Sequence, residues 1–173
     1  ANINTKLDTT QIKMAGKKWR TIDFNKVTGP TIRKYRLAFQ NKTSKNTIRS
    51  NLEDRKKCTE NFINHLSLAK EGKVSIKAKR VDMYKLVKDA LFTKTMEDID
   101  LVNEQWRNNS ELNQEMKHYI IPMGDVSASM QDDNNIPLYN SIGFSIRVSE
   151  KTHPDFRNRV MTFSREPSWV QFS

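Results

Sequence analysis

Apolar residues in the first hundred positions recur mostly at helical spacing. Ile32, Tyr35 and Phe39 follow Thr28, Gly29 and Pro30, a start signal because proline suits a first helical turn. Residues 41–45 make a polar break. From Asn46 the series Ile48, Leu52, Thr59, Phe62, Leu66 and Ala69 predicts one long amphipathic helix, ended by Gly72 as a left-handed cap. Residues 74–78 read as short and extended or loop-like. Tyr84, Val87 and Leu91 predict a helix over 82–92, and Ile99, Val102 and Trp106 another over 96–107. These helices are expected to pack as an all-helical unit of repeat type, although no fixed internal period is visible. Asn108, Asn109, Ser110, Glu111, Asn113 and Gln114 form the best linker. It divides the chain into a basic helical region, 1–110, and a second region, 111–173.

In the second region the pattern changes. Tyr119, Ile120, Ile121, Pro122 and Met123 form an apolar run that predicts a buried strand, which delivers Asp125 to Met130 into a loop. Pro137 stands near the start of a helix over 136–150, with Leu138, Ile142 and Ile146 along one side and Tyr139, Phe144 and Val148 widening the apolar surface. Pro154 ends it. Val160, Met161 and Phe163 make a short strand within 159–164, and Glu166, Pro167 and Ser168 turn the chain into Trp169, Val170 and Phe172. Strand, loop, helix, strand, turn, strand is how an open α/β domain with a parallel sheet begins, its ligand site lying beyond the carboxyl end of the first strand.

That end carries the one pattern that proposes a chemistry. Asp125, Ser127 and Ser129 form D-x-S-x-S, and one carboxylate with two hydroxyls spaced two residues apart can converge on a hard cation such as Mg²⁺, which takes oxygen ligands and keeps several waters. The ion would retain positive charge and open positions for an anionic ligand from outside. The same residues also suit a plain turn or helix cap. Enzyme readings lack their nucleophile. A haloacid-dehalogenase-type phosphotransferase needs a second Asp where Ser127 stands, and a serine-hydrolase elbow needs G-x-S-x-G, which Gly124, Asp125, Val126 and Ser127 miss by one position. Three scattered histidines show no metal-binding spacing, and five glycines form no phosphate cradle.

The strings 121–130, 136–150, 156–164 and 167–169, led by Ile-Pro-Met-Gly-Asp-Val-Ser-Ala-Ser-Met, resemble the opening of the von Willebrand A-like domain in a family of eukaryotes and giant viruses. That family is similar to the TROVE and Ro ribonucleoprotein proteins, in which helical repeats precede the A domain. Residues 19–27, 34–39 and 72–86 resemble its helical region more loosely. The resemblance implies an α-helical N-terminal region followed by the start of an α/β, Rossmann-type domain. It implies a metal-ion-dependent adhesion loop in which Asp125, Ser127 and Ser129 hold Mg²⁺, and an acidic group on a protein partner as ligand. By the Ro likeness it implies RNA as a partner of the helical part. Ala128 stands where the family usually has Gly. The A-domain pattern continues through a Thr and a later Asp that also serve the metal, whereas this sequence ends at Ser173, so it reads as truncated within the A domain with an incomplete site.

Charge divides along the same line. The net charge of +10 splits into +11 up to His118 and −1 from Tyr119 onward. Basic surfaces attract phosphate backbones with little sequence preference. Candidate contacts are Lys17, Lys18 and Arg20; Arg33, Lys34 and Arg36; Lys56 and Lys57 beside Arg55; and Lys77, Lys79 and Arg80 near Lys73. Trp19 and Tyr35 lie close enough in sequence to stack on unpaired bases. Solvated helix faces with inward aromatics explain the same pattern. The single Cys58 allows no intramolecular disulfide, and Lys56 and Lys57 could lower its pKa, although a half-buried small residue is the plainer reading. No apolar stretch approaches a membrane span. A non-enzymatic binding protein of the cell interior, cytoplasmic or in a virion, is the expectation, and a metal-free structural or assembly role is the alternative.

Overall fold

The computed structural model describes residues 8–109, 118–163 and 165–172. The chain divides into two compact units, 1–80 with 94–109 and 81–93 with 110–173. Residues Ser110, Glu111, Asn113 and Gln114 of the expected linker, and Ser164 at the end of an expected strand, lie outside the described residues. Segment 81–93, read as part of the helical region from sequence order, packs with the second unit.

In the first unit α1 spans Thr10–Ala15, α2 Gly29–Phe39, α3 Glu53–Lys70 and α5 Met96–Asn108. Helix α2 begins as its Thr-Gly-Pro signal predicts, with Thr28 at the N-cap and Pro30 in the first turn. Helix α3 is shorter than expected. Residues 46–52 do not join it, because Thr47 and Thr43 close a turn by backbone and hydroxyl bonds, and Ile48 pairs with Lys42 in an isolated bridge. Ile48 and Leu52 therefore stay exposed instead of extending the apolar stripe. From Cys58 the stripe is regular: Cys58, Phe62, His65, Leu66 and Ala69 are buried on one face. Gly72 at φ +72° ends the helix in the left-handed region as expected. Thr95 caps α5 through the Asp98 N–H, and acidic residues in the first turn with Arg107 in the last complement the helix dipole.

The core of this unit is aromatic. Phe39 meets Phe24 at 5.2 Å and Phe62 at 5.7 Å between ring centroids, and Trp19 and Tyr35 pack around it. Cys58 lies wholly inside, and burial pushes its thiol up to about 12, so the neighbouring lysines do not activate it. His65 stacks on Phe24 and its buried Nε2 has no hydrogen-bond partner among the described residues. Burial lowers the His65 pKa below its ordinary value, with the Asp23 carboxylate opposing. The unfolded chain then takes up the proton first. The stability His65 allows is complete above the unfolded pKa of about 6.5, declines as pH falls below it, and is lost as pH falls through the lower folded value. Melting temperature is expected to drop as pH falls below about 6.5, and His65→Leu to flatten that slope. An unchanged slope in the variant would assign the acid sensitivity elsewhere.

The second unit holds α4 (Met83–Phe92), β1 (Met123–Asp125), α6 (Asp132–Lys151), β2 (Arg159–Phe163) and β3 (Trp169–Gln171). β1 pairs with β2 in parallel, Asp125 opposite Phe163, and β2 pairs with β3 antiparallel, giving a three-stranded mixed sheet in the order β1-β2-β3. A parallel pair joined through a helix and then a hairpin is the order of elements the sequence predicts. The molecule as described is thus helical for the most part, with a small mixed sheet near its carboxyl end.

Two details differ. The run Tyr119–Met123 is not a buried strand: Tyr119, Ile121 and Met123 are exposed, and only Met123 enters the three-residue β1. Its backbone is held instead by Thr152, fully buried at the end of α6, whose Oγ1 accepts the Ile120 N–H at 3.0 Å and lies 2.8 Å from the Ile120 carbonyl. Tyr119 stacks on His153 at 4.2 Å. In α6 the residues Asp133, Asn134 and Asn135 have positive φ of 48°, 56° and 62°, so Pro137 stands in the first regular right-handed turn after a kink. The buried face of α6 carries Tyr139, Gly143, Ser145, Arg147, Val148 and Ser149, whereas Phe144 points to solvent. Small residues sit where backbones come close. A Cβ on Gly143 would lie 2.6 Å from Met83 Cγ of α4, and one on Gly124 3.0 Å from Ser145 Oγ.

Candidate functional site

Asp125 closes β1, and the chain leaves the sheet there into an extended residue, Ser127, and a single 3-10 turn, Ala128–Gln131. The loop folds on itself. Asp125 Oδ1 accepts the Ser127 N–H at 2.9 Å, an Asx turn that an Asp two residues before an amide readily makes, and Ser127 Oγ lies 3.0 Å from Ser129 Oγ. The Ser127 amide and hydroxyl hold the Asp125 carboxyl below its usual range, so it is ionised at neutral pH. All three predicted residues therefore meet at the carboxyl end of β1, with both serines exposed. Part of Asp125's capacity goes to the turn, as the capping alternative holds, and the two hydroxyls remain adjacent on the open side. Neither hydroxyl is bonded to a histidine among the described residues. Among those residues no cluster of three or more His, Cys, Asp or Glu forms a metal site of another kind, and no helix is long and apolar enough to cross a membrane.

The basic candidates fall into separate groups. Lys17 and Lys18 stand exposed in the turn after α1, with Arg20 in the 3-10 turn beyond. The Arg20 and Trp19 amides both donate to Asp54. On α2, Lys34 is exposed, Arg33 is half-buried and Arg36 is turned inward, 3.5 Å from buried Asp98, which also accepts from Gln40. Lys56 is exposed and Lys57 pairs with Glu60 at 2.8 Å. Arg55 lies 3.6 Å over the Trp19 ring and donates to the Ala38 carbonyl, so that ring face is covered. With Trp19 and Tyr35 both packed against the core, neither aromatic is an open stacking platform.

Lys77, Lys79 and Arg80 are placed differently. With Ser75, they line a cavity of about 610 Å³ whose other walls are Thr28, Gly29 and Pro30 at the start of α2 and Asn108 at the end of α5. A residue that sequence reasoning missed shapes it: Gln105, 1% exposed, donates from one Nε2 to the Gly29 carbonyl at 3.2 Å and to the Lys77 carbonyl at 3.4 Å. The available signal was the spacing of Gln105 from Leu101 and Val102, four and three residues before it on the same helix face.

Comparison with known proteins bears on the second unit most directly. The profile described as "Domain of unknown function (DUF7788)" matches residues 119–173, the span that contains β1, the Asp125 loop, α6 and the hairpin. The chain is 25% identical over 169 residues, 96% of its length, to "Uncharacterized protein L728" of Acanthamoeba polyphaga mimivirus, and spans 28% of that protein. No solved structure matches. These likenesses agree with the giant-virus side of the expected resemblance: the chain is similar to a mimivirus protein along nearly all of its length.

Proposed function

We propose that the second unit is a von Willebrand A-like binding module, without catalytic activity of its own, whose contact with a partner runs through a divalent cation held by Asp125, Ser127 and Ser129. The observation that supports this reading is the meeting of an ionised carboxylate and two hydroxyls 3.0 Å apart at the carboxyl end of a parallel strand. These donors are hard oxygens, the set Mg²⁺ takes. A bound Mg²⁺ would supply a residual positive charge, and an acidic side chain of a protein partner is the natural ligand for it. RNA contact by the first unit is a second reading, supported by the exposure of Lys17, Lys18, Lys34, Lys56, Lys77, Lys79 and Arg80.

The cation reading is tested by calorimetric and thermal titration of the full chain. Mg²⁺ at a hundred times its dissociation constant is expected to stabilise the unit by about 2.7 kcal/mol. Asp125→Ala and Ser129→Ala should each weaken that response, the latter with the Asx turn left in place. No heat and no change in melting temperature for the unaltered chain would refute the reading.

A further inference from the structure

We propose that the cavity between the start of α2 and residues 75–80 binds the phosphate groups of a small phosphorylated ligand, of about the size of a nucleotide. Burial alternates along residues 75–78, with Ile76 and Ala78 in the core and Ser75 and Lys77 exposed. Their burial turns Ser75, Lys77 and Lys79 together toward the outside, and Arg80, at φ +65°, follows. Elsewhere in this unit cations are often engaged: Arg36 by Asp98, Arg55 by Trp19 and a carbonyl, Lys57 by Glu60, Lys70 by Asp100. Lys77, Lys79 and Arg80 form no ion pair with the described residues, and none of the described residues that line the cavity is a carboxylate.

Three positive charges around one concavity attract an anion that carries several charges in a small volume. The cavity is also held in shape before any ligand arrives. The buried Gln105 amide ties its two walls, Gly29 and Lys77, to a single nitrogen, so little ordering remains for binding to oppose. Its volume of about 610 Å³ falls within the range of small-molecule sites. A single concavity suits a compact polyanion better than a strand, which needs a continuous groove. This inference does not depend on the cation loop of the second unit.

The test uses the full chain, with pyrophosphate and ATP as probes in calorimetry and single-stranded oligouridine in fluorescence anisotropy. Pyrophosphate and ATP are expected to bind, and the variant Lys77→Gln, Lys79→Gln, Arg80→Gln to lose roughly tenfold or more in affinity, because charge-assisted bonds are removed. Lys56→Gln with Lys57→Gln, which lowers the charge of the same unit elsewhere, should change affinity less than about twofold. Backbone amide shifts of the unaltered chain on adding pyrophosphate should centre on residues 28–31 and 75–80. Absent binding, shifts centred elsewhere, or equal loss in the two variants would overturn the proposal. So would an oligonucleotide that binds while ATP and pyrophosphate do not, which would assign the charge to strands.

Discussion

Phe39→Ala is expected to cost about 3–5 kcal/mol, within the range for emptying a large aromatic site. The ring is fully buried and meets Phe24, Phe62, Tyr35 and Trp19. Five separate segments, 19–27, α2, α3, the stretch around Ile76 and α5 through Leu101, meet in this cluster, so the cavity has walls that cannot all collapse at once. Against a typical total of about 5–15 kcal/mol, the loss is a large fraction of the stability. Urea unfolding followed by circular dichroism measures it. Phe144→Ala is the comparator: that ring is 60% exposed on α6, and its removal should change stability by less than about 0.5 kcal/mol. Equal losses at the two positions would show that the aromatic cluster is not what holds the first unit together.

Gly143→Val is expected to destabilise the second unit by about 2–3 kcal/mol through overpacking. Its Cβ would meet Met83 Cγ at 2.6 Å, Met83 Sδ at 2.9 Å and Val87 Cγ2 at 2.9 Å, before the two Val methyl groups are counted. Met83 is unbranched and can move, but Val87 is β-branched and stiff at χ1, so α4 must shift away from α6. Gly143→Ala separates two opposing effects. Alanine gains about 1 kcal/mol of helix propensity over glycine, and the steric loss should exceed it. Denaturant midpoints for the two variants, with limited proteolysis around 81–93, report the outcome. A Gly143→Ala protein more stable than the parent would mean that the helices have room to spare.

Much of the fold was legible because the signals were local. Thr28 with Pro30, Gly72, and the periodic apolar residues of α4 and α5 each act within a few positions, and these elements formed close to where they placed them, whereas α3 begins seven residues later than its pattern predicts. The order β1, α6, β2, β3 was legible for the same reason. What was not legible depends on neighbours distant in sequence. Nothing near Tyr119 says that Thr152, over thirty residues on, takes the hydrogen bonds a strand partner would have taken. Phe39 and Phe144 look alike in sequence, and only packing separates them. The grouping of α4 with α6 follows from close approach at Gly143, which a helical-repeat reading had no means to see. For the site, the D-x-S-x-S spacing did place its three side chains together. The basic series was less specific, because spacing along the chain does not say that Arg36 turns inward toward Asp98 while Lys77 and Lys79 turn outward.

The insertion of α4 between two parts of the first unit has a consequence during synthesis. Helix α4 ends at Phe92 and its partner α6 begins at Asp132, so about forty further residues must leave the ribosome before the apolar face of α4 can be covered. At about 5–20 residues per second that is a delay of roughly 2–8 seconds. The first unit, whose last helix ends at Asn108, is ready to close earlier. Nascent chains therefore pass through an interval in which Val87, which α6 approaches at Gly143 in the finished fold, stands uncovered.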